Sequence, residues 1–316
     1  MDSKVLFHEP QATTAVAVRE TAPAKVNLFL NVETKRPDGY HELETLMVSL
    51  GLHDTLEFRP LPGESLEESL ELVAHDARTA AGLGPGSPPL EVPVGPANLV
   101  WKAAQLLKER TGCRLGARLE LWKRIPVAAG LAGGSTDAAA TLRGLNRLWN
   151  LGLSLEELRE LGAELGSDIP FFLSGRPAAL CRGRGELITP LDLPLGLALV
   201  IVKPAAGLST PQVFRACRPQ GPHPGVEPLI AALKQGCLAA VAQRLHNTLQ
   251  PAAESLCPSV VLLKETFSRL SPVGHLMSGS GTCYFGLCRN LAEARRLAGV
   301  LQAQRVGSVF VTSVAC

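Results

Sequence analysis

Pro126-Val127-Ala128-Ala129-Gly130-Leu131-Ala132-Gly133-Gly134-Ser135-Thr136 is the stretch on which the reading of this chain turns. RLEL (118–121), which alternates like a strand, precedes it, and the Ala-rich run STDAAATLRGLNRLW (135–149) follows as a predicted helix, with Ser135 or Thr136 placed to cap it. Small residues let the backbone approach an anion. The helix that follows points unpaired N–H groups and a partial positive charge at the same place. The stretch lacks the lysine of a P-loop and the G-x-G-x-x-G spacing of a dinucleotide fingerprint. Taken alone, it reads equally as a tight strand–helix connection that needs glycine.

Upstream, KVNLFLNVE (25–33) alternates apolar and other residues as a strand does, RPDGY (36–40) is a turn cluster, and 43–50 and 54–59 read as further strands. Successive strands without long intervening helices argue against a doubly wound sheet. Residues 60–97, rich in Gly, Pro, Ser and Glu, read as irregular with a strand near 69–74. A helix over 98–111 stops at Gly112, and Ser154 with Glu157 forms a capping box for a helix that closes at Gly166. Downstream come a buried strand at 196–203, helices near 226–246 and 259–270, a Gly-rich turn at 279–281, a strand at 283–288, a helix at 290–303 and a strand at 308–314. The expectation is an α+β protein of two halves. Residues 1–20 form an extension, 21–185 the amino-terminal domain and 186–316 the carboxy-terminal one.

The 316 residues carry a formal charge of +2, 46% hydrophobic and only 4% aromatic residues. That balance supports a substantial core and gives no reason to expect nucleic acid or an anionic membrane as partner. The eight cysteines include no C-x-x-C pair and no zinc-ligand spacing, so reduced thiols and no metal-ligating residues are expected. No run of 18 apolar residues occurs and the first 20 lack an apolar signal core, which reads as a cytoplasmic protein.

The loop has the form P-x-x-x-G-L-x-G-G-S-[ST] and resembles the ATP-binding motif of the GHMP kinase superfamily. APAKVNL (22–28) and SGSGT (278–282) fit the same superfamily in the same order. RPDGYHELETL (36–46), NLVWKAA (98–104), GSDIPFFL (166–173) and STPQVF (209–214) narrow the resemblance to the 4-diphosphocytidyl-2-C-methyl-D-erythritol kinase family of the non-mevalonate isoprenoid route. It covers residues from about 21 to the end. Departures stand at Ala128, Ala129 and Ala132, where glycine also occurs, at HNTLQP (246–251), and at Cys283 and Tyr284. Alanine keeps the approach open unless a positive φ is needed.

The resemblance implies a two-domain GHMP kinase fold, with mixed or antiparallel sheets packed with helices and the active site between the domains. It implies ATP and Mg²⁺ as cofactors, with the metal bridging phosphate oxygens, and CDP-methylerythritol as the substrate phosphorylated on its 2-hydroxyl. It also implies a monomer or weak homodimer. Residues 126–136 would cradle the triphosphate. Asp168 would act as base or as positioner of the hydroxyl, with Lys25 beside it and Asn27 on the same strand face. Tyr40 would stack on the cytosine, His41 bond its edge, and Phe214 close the other side, with Thr210 and Pro211 shaping the wall. A lysine at a strand end and an aspartate in a turn are, in isolation, ordinary solvated residues. Two other readings stay open on the sequence: a GHMP kinase with a different alcohol acceptor, and a catalytically silent nucleotide-binding homologue.

Overall fold

The structure is a computed structural model that describes residues 17–61, 70–78, 92–194, 196–219 and 225–314. The first 16 residues and most of the stretch 62–91 expected to be irregular lie outside the described residues.

The amino-terminal strand is longer than its alternation announced: β1 runs Val18–Lys35 and joins residues 18–20 to the fold. The two strands expected at 43–50 and 54–59 are one, β2 (His41–Leu61), antiparallel to β1 along almost its whole length. β1 pairs on both sides of this join, Ser49 lying opposite Lys25 and His53 opposite Pro23, and Gly51 falls in the register shift between them. Next come β3 (Leu70–Asp76), α1 (Leu99–Thr111), β4 (Gly116–Lys123), α2 (Gly133–Leu148), α3 (Leu155–Leu165), α4 (Ile169–Phe172), β5 (Ala178–Gly183) and β6 (Leu187–Leu191). The remaining elements are β7 (Ala198–Lys203), α5 (Thr210–Ala216), α6 (Glu227–Lys234), α7 (Leu238–Ala242), β8 (His246–Asn247), α8 (Gln250–Leu256), α9 (Pro258–Leu270), β9 (Gly274–Met277), β10 (Tyr284–Cys288), α10 (Leu291–Ala303) and β11 (Ser308–Ser313). The single helix expected over 226–246 is α6 and α7, split at Gly236, whose φ of +66° ends the first.

Two sheets organise these elements. The first runs β3-β4-β2-β1-β8, with β5 on the far part of β2 and β6 on β5. It is antiparallel except for the β3–β4 and β1–β8 pairs. The second is antiparallel, in the order β11-β7-β10-β9. Residues 187–191 therefore stay with the first sheet, and the short β8 returns to it from the carboxy-terminal half.

Three apolar clusters hold the layers. One lies between the sheets and joins Val26, Leu28, Leu46 and Val48 to Leu199, Ile201, Phe285 and Phe310. A second fixes α1 and α2 on the first sheet, and a third fixes α9 and α10 on the second. Close seating of α2 follows from its sequence. Ala138, Ala139 and Ala140 are buried, and Gly144 faces the Phe58 ring so closely that an added Cβ would lie 2.2 Å from it. This packing brings the amino-terminal end of α2 beside the middle of β1.

Candidate active site

A cleft of about 1250 Å³ runs between the first sheet and residues 209–218 and 279–280, and the 126–135 loop forms one wall. All the predicted catalytic and acceptor-side residues line it: Lys25, Asn27, Tyr40, His41, Asp168, Thr210, Pro211 and Phe214. Of the loop, Pro126, Val127, Ala128, Ala129, Gly130, Ala132, Gly133, Gly134 and Ser135 line it too. Leu131 and Thr136 are fully buried instead. Leu131 sits in the inter-sheet core while its carbonyl accepts the amide of Lys25 at 3.1 Å, which joins loop to strand.

Neither Ser135 nor Thr136 caps α2, contrary to the sequence expectation. The helix begins at Gly133, after Ala132 in left-handed geometry, and has no side-chain cap. A side-chain cap would occupy amides that are otherwise left to a ligand, so its absence fits an anion cradle better than a simple connection does. Ala128 and Ala132 have φ of +51° and +56°, so positive φ is needed at both. Each alanine carries a strain on the order of 1–2 kcal/mol that glycine would not.

Gly130, at φ +73°, has the second small-residue turn directly against it. A Cβ there would lie 2.6 Å from the Ser278 carbonyl and 3.0 Å from that of Gly281. Ser278 Oγ donates to the Gly130 carbonyl at 3.2 Å and the Cys283 amide to that of Ala129 at 3.2 Å. Asn247 holds the same turn by donating to the carbonyls of Met277 and Gly279, both at 2.8 Å. The HNTLQP string, which stood out only as a departure, thus supplies the residue that ties β8 to this turn.

Lys25 is only 4% exposed although it lies on the cleft. Register shifts in the β1–β2 pairing flank it, between Pro23 and Lys25 and between Asn27 and Phe29. Irregularities of this kind re-aim side chains. Lys25 Nζ donates to Asn27 Oδ1 at 2.7 Å and stands 3.7 Å from Asp168 Oδ2. Asn27 Nδ2 donates to Thr45 Oγ1 at 2.8 Å, and Thr45 donates to the Phe29 carbonyl, so the amide is fixed in orientation. Asp168 precedes α4, and its carboxylate does not cap that helix. Gly162 lets α4 seat tightly on α3, since a Cβ there would lie 2.8 Å from Ile169. The Asp168 side chain remains 33% exposed, open to the cleft.

At the other end of the cleft, the rings of His41 and Phe214 face each other at 5.3 Å, inclined by 30°. Tyr40 is 54% exposed, and its ring faces the Arg184 guanidinium at 4.8 Å. Thr210 and Ser280 share a hydrogen bond of 2.8 Å across the cleft. Arg184 follows Gly183, which turns the chain at a φ of +71°. The structure puts it on the cleft wall.

Sequence reasoning missed a buried charge cluster beside the loop. Lys123 Nζ donates to Asp54 Oδ2 and, at 2.6 Å, to Asp137 Oδ2. Lys123 and Asp137 line the cleft, while Asp54 is fully buried behind them. Burial opposes the charge on Lys123, but the two carboxylates outweigh it and hold the ammonium above its ordinary value. Burial pushes Asp137 up to about 8, with Lys123 opposing and Asp54 adding to the rise. The available signal was a lysine ending the strand before the loop and an aspartate one position after it.

Models of the GHMP kinases N terminal domain and GHMP kinases C terminal match residues 98–176 and 229–306. The 4-diphosphocytidyl-2-C-methyl-D-erythritol kinase of Geobacillus thermodenitrificans (strain NG80-2) is 43% identical over 277 residues, 87% of this chain and 90% of the relative. The Bacillus subtilis (strain 168) enzyme of the same name is 41% identical, over 89% and 91%. The chain belongs to the 4-diphosphocytidyl-2-C-methyl-D-erythritol kinase family of GHMP kinases. A crystal structure of a 4-(cytidine 5'-diphospho)-2C-methyl-D-erythritol kinase superposes with a TM-score of 0.77 at 37% identity, covering 94% of this chain and 99% of the other. A homoserine kinase from Cytophaga hutchinsonii shares the fold alone, with a TM-score of 0.71 at 18% identity over 98% of both chains. The α+β two-sheet architecture is thus that of the GHMP kinases. No helix among the described residues is long and apolar enough to cross a membrane.

Proposed function

We propose that this chain transfers the γ-phosphoryl group of ATP to the 2-hydroxyl of 4-diphosphocytidyl-2-C-methyl-D-erythritol, giving the 2-phosphate and ADP, in the non-mevalonate route to isoprenoid precursors. The observation that carries the reading is the Lys25–Asp168 pair, 3.7 Å apart, in one cleft with an uncapped helix terminus. A ring pair at the far end of the cleft suits a pyrimidine.

The triphosphate lies along residues 126–135, where the first amides of α2 and the helix dipole meet its charge. Mg²⁺ brought in with ATP would neutralise charge on the triphosphate along this loop. Among the described residues no three His, Cys, Asp or Glu converge as a metal-binding group. The acceptor's cytosine lies against Tyr40, His41 and Phe214, and its erythritol hydroxyl reaches Asp168. Lys25 pairs with the carboxylate and aims it, while Asn27 holds the ammonium. As the hydroxyl oxygen attacks the γ-phosphorus, its proton passes to Asp168 Oδ2. The bond from the γ-phosphorus to its bridging oxygen breaks, and the electron pair leaves on ADP.

The test is ADP release coupled to NADH oxidation, with CDP-methylerythritol set against homoserine, mevalonate and galactose. Turnover of CDP-methylerythritol at a kcat/KM at least a thousandfold above the others is expected. Preference for one of the small alcohols would overturn the assignment.

A further inference from the structure

We propose that Asp137 takes part in binding the donor nucleotide as a neutral acid, its Oδ1 donating a hydrogen bond to the bound nucleotide. This rests on the reading of the 126–135 loop as the ATP cradle. It adds a residue one position beyond that loop.

The hydrogen-bond inventory decides which carboxylate of the cluster keeps a proton. Asp54 is surrounded by donors: the Lys123 ammonium on Oδ2, and the amides of Arg124 and Ile125 on Oδ1 at 2.5 and 2.9 Å. Those three donors compensate a negative charge on it. Asp137 receives one donor, Lys123, on Oδ2. Its Oδ1 is buried with no partner among the described residues, although the residue is part of the cleft wall. One ammonium is shared by two carboxylates. An uncompensated negative charge on Asp137 would sit inside the helix terminus that must receive a polyanion. A proton on Oδ1 removes that charge and leaves an O–H without an acceptor in the protein. A nucleotide oxygen or nitrogen in the cleft supplies one. The charged groups that act on Asp137 are Lys123 from β4 and Asp54 from β2. Burial outweighs the lysine and raises its proton affinity, in line with this arrangement.

The neutral acid and an asparagine are close isosteres. Asp137→Asn retains an oxygen for Lys123 and an N–H donor for the ligand. The experiment is equilibrium binding of a β,γ-nonhydrolysable ATP analogue with saturating Mg²⁺ between pH 7 and 9, by calorimetry, without acceptor. Wild-type affinity is expected to fall about tenfold by pH 9, following the loss of one proton near pH 8. The Asp137→Asn variant should bind within about threefold of wild type at pH 7 and stay flat. Asp54→Asn, which removes the neighbouring anion, should move the wild-type fall to lower pH. A flat wild-type profile, an equal fall in Asp137→Asn, or a tenfold loss in that variant at pH 7 would each overturn the proposal. Failure of the wild type to bind at any pH would strike at the kinase reading instead. Should Asp137→Asn not fold, the wild-type and Asp54→Asn profiles decide the matter.

Discussion

Replacing Asp168 by asparagine separates chemistry from structure. The substitution keeps shape and removes one charge, 3.7 Å from Lys25 Nζ. At that separation the Coulomb attraction is about 1 kcal/mol with the dielectric of water, and about 4.5 kcal/mol at an effective dielectric of 20. A side chain one-third exposed and a lysine also held by Asn27 place the net loss toward the lower figure. The melting temperature should therefore fall by only a few degrees. Removal of a base from the attacking hydroxyl typically costs 10²- to 10⁴-fold in rate, or about 2.7–5.4 kcal/mol of barrier. The expected result is a kcat at least a hundredfold lower. Dissociation constants for the ATP analogue and for CDP-methylerythritol should stay within about threefold. Steady-state coupled assays, calorimetry and a thermal melt on the same preparation check all three. A variant that retains more than a tenth of the wild-type kcat would refute the role of Asp168. A collapse of the melting temperature by tens of degrees would show the residue to be structural.

Phe214→Ala should raise KM for CDP-methylerythritol by roughly 5- to 150-fold, the worth of about 1–3 kcal/mol of stacking, and leave KM for ATP within about threefold. Equal changes in both constants would remove Phe214 from the base site. Gly130→Ala places a Cβ 2.6 Å from the Ser278 carbonyl at a φ of +73°, so the loop or the facing turn must move. A stability loss on the order of 1–3 kcal/mol by urea unfolding and a kcat reduced at least tenfold are expected. Wild-type behaviour would show the loop–turn contact to be dispensable. Asp137 binds its proton more tightly folded than unfolded, so between about pH 4 and its folded value near 8 the native state holds the extra proton. Stability from this group is full at the acid end of that window and is lost as pH rises through it. The unfolding free energy of wild type minus that of Asp137→Asn should therefore decrease from pH 5 to pH 8 and level off above. A difference that rises with pH would contradict the assignment.

Local sequence determined much of this protein. Alternation in 25–33, the capping box at Ser154, the glycine stop at Gly112 and the small residues of 126–136 each act over a few bonds. Their elements appear where expected, apart from the merging of two strands into β2, the uncapped start of α2 at Gly133 and the break at Gly236. The three motifs of the resemblance pointed to the superfamily and to Lys25, and the further strings, GSDIPFFL among them, to the family and to Asp168. Only the tertiary structure decided what depends on distance through space between residues far apart in the chain. It closed Lys25 onto Asp168, set the 278–281 turn against Gly130, and faced Phe214 toward His41 while Tyr40 met Arg184. It also buried Asp54, Lys123 and Asp137 together, three residues that look like ordinary surface charges in a string. A lysine or an aspartate has no fixed chemistry of its own: desolvation and the nearest opposite charge set it, and both arise only when the sheets and helices pack.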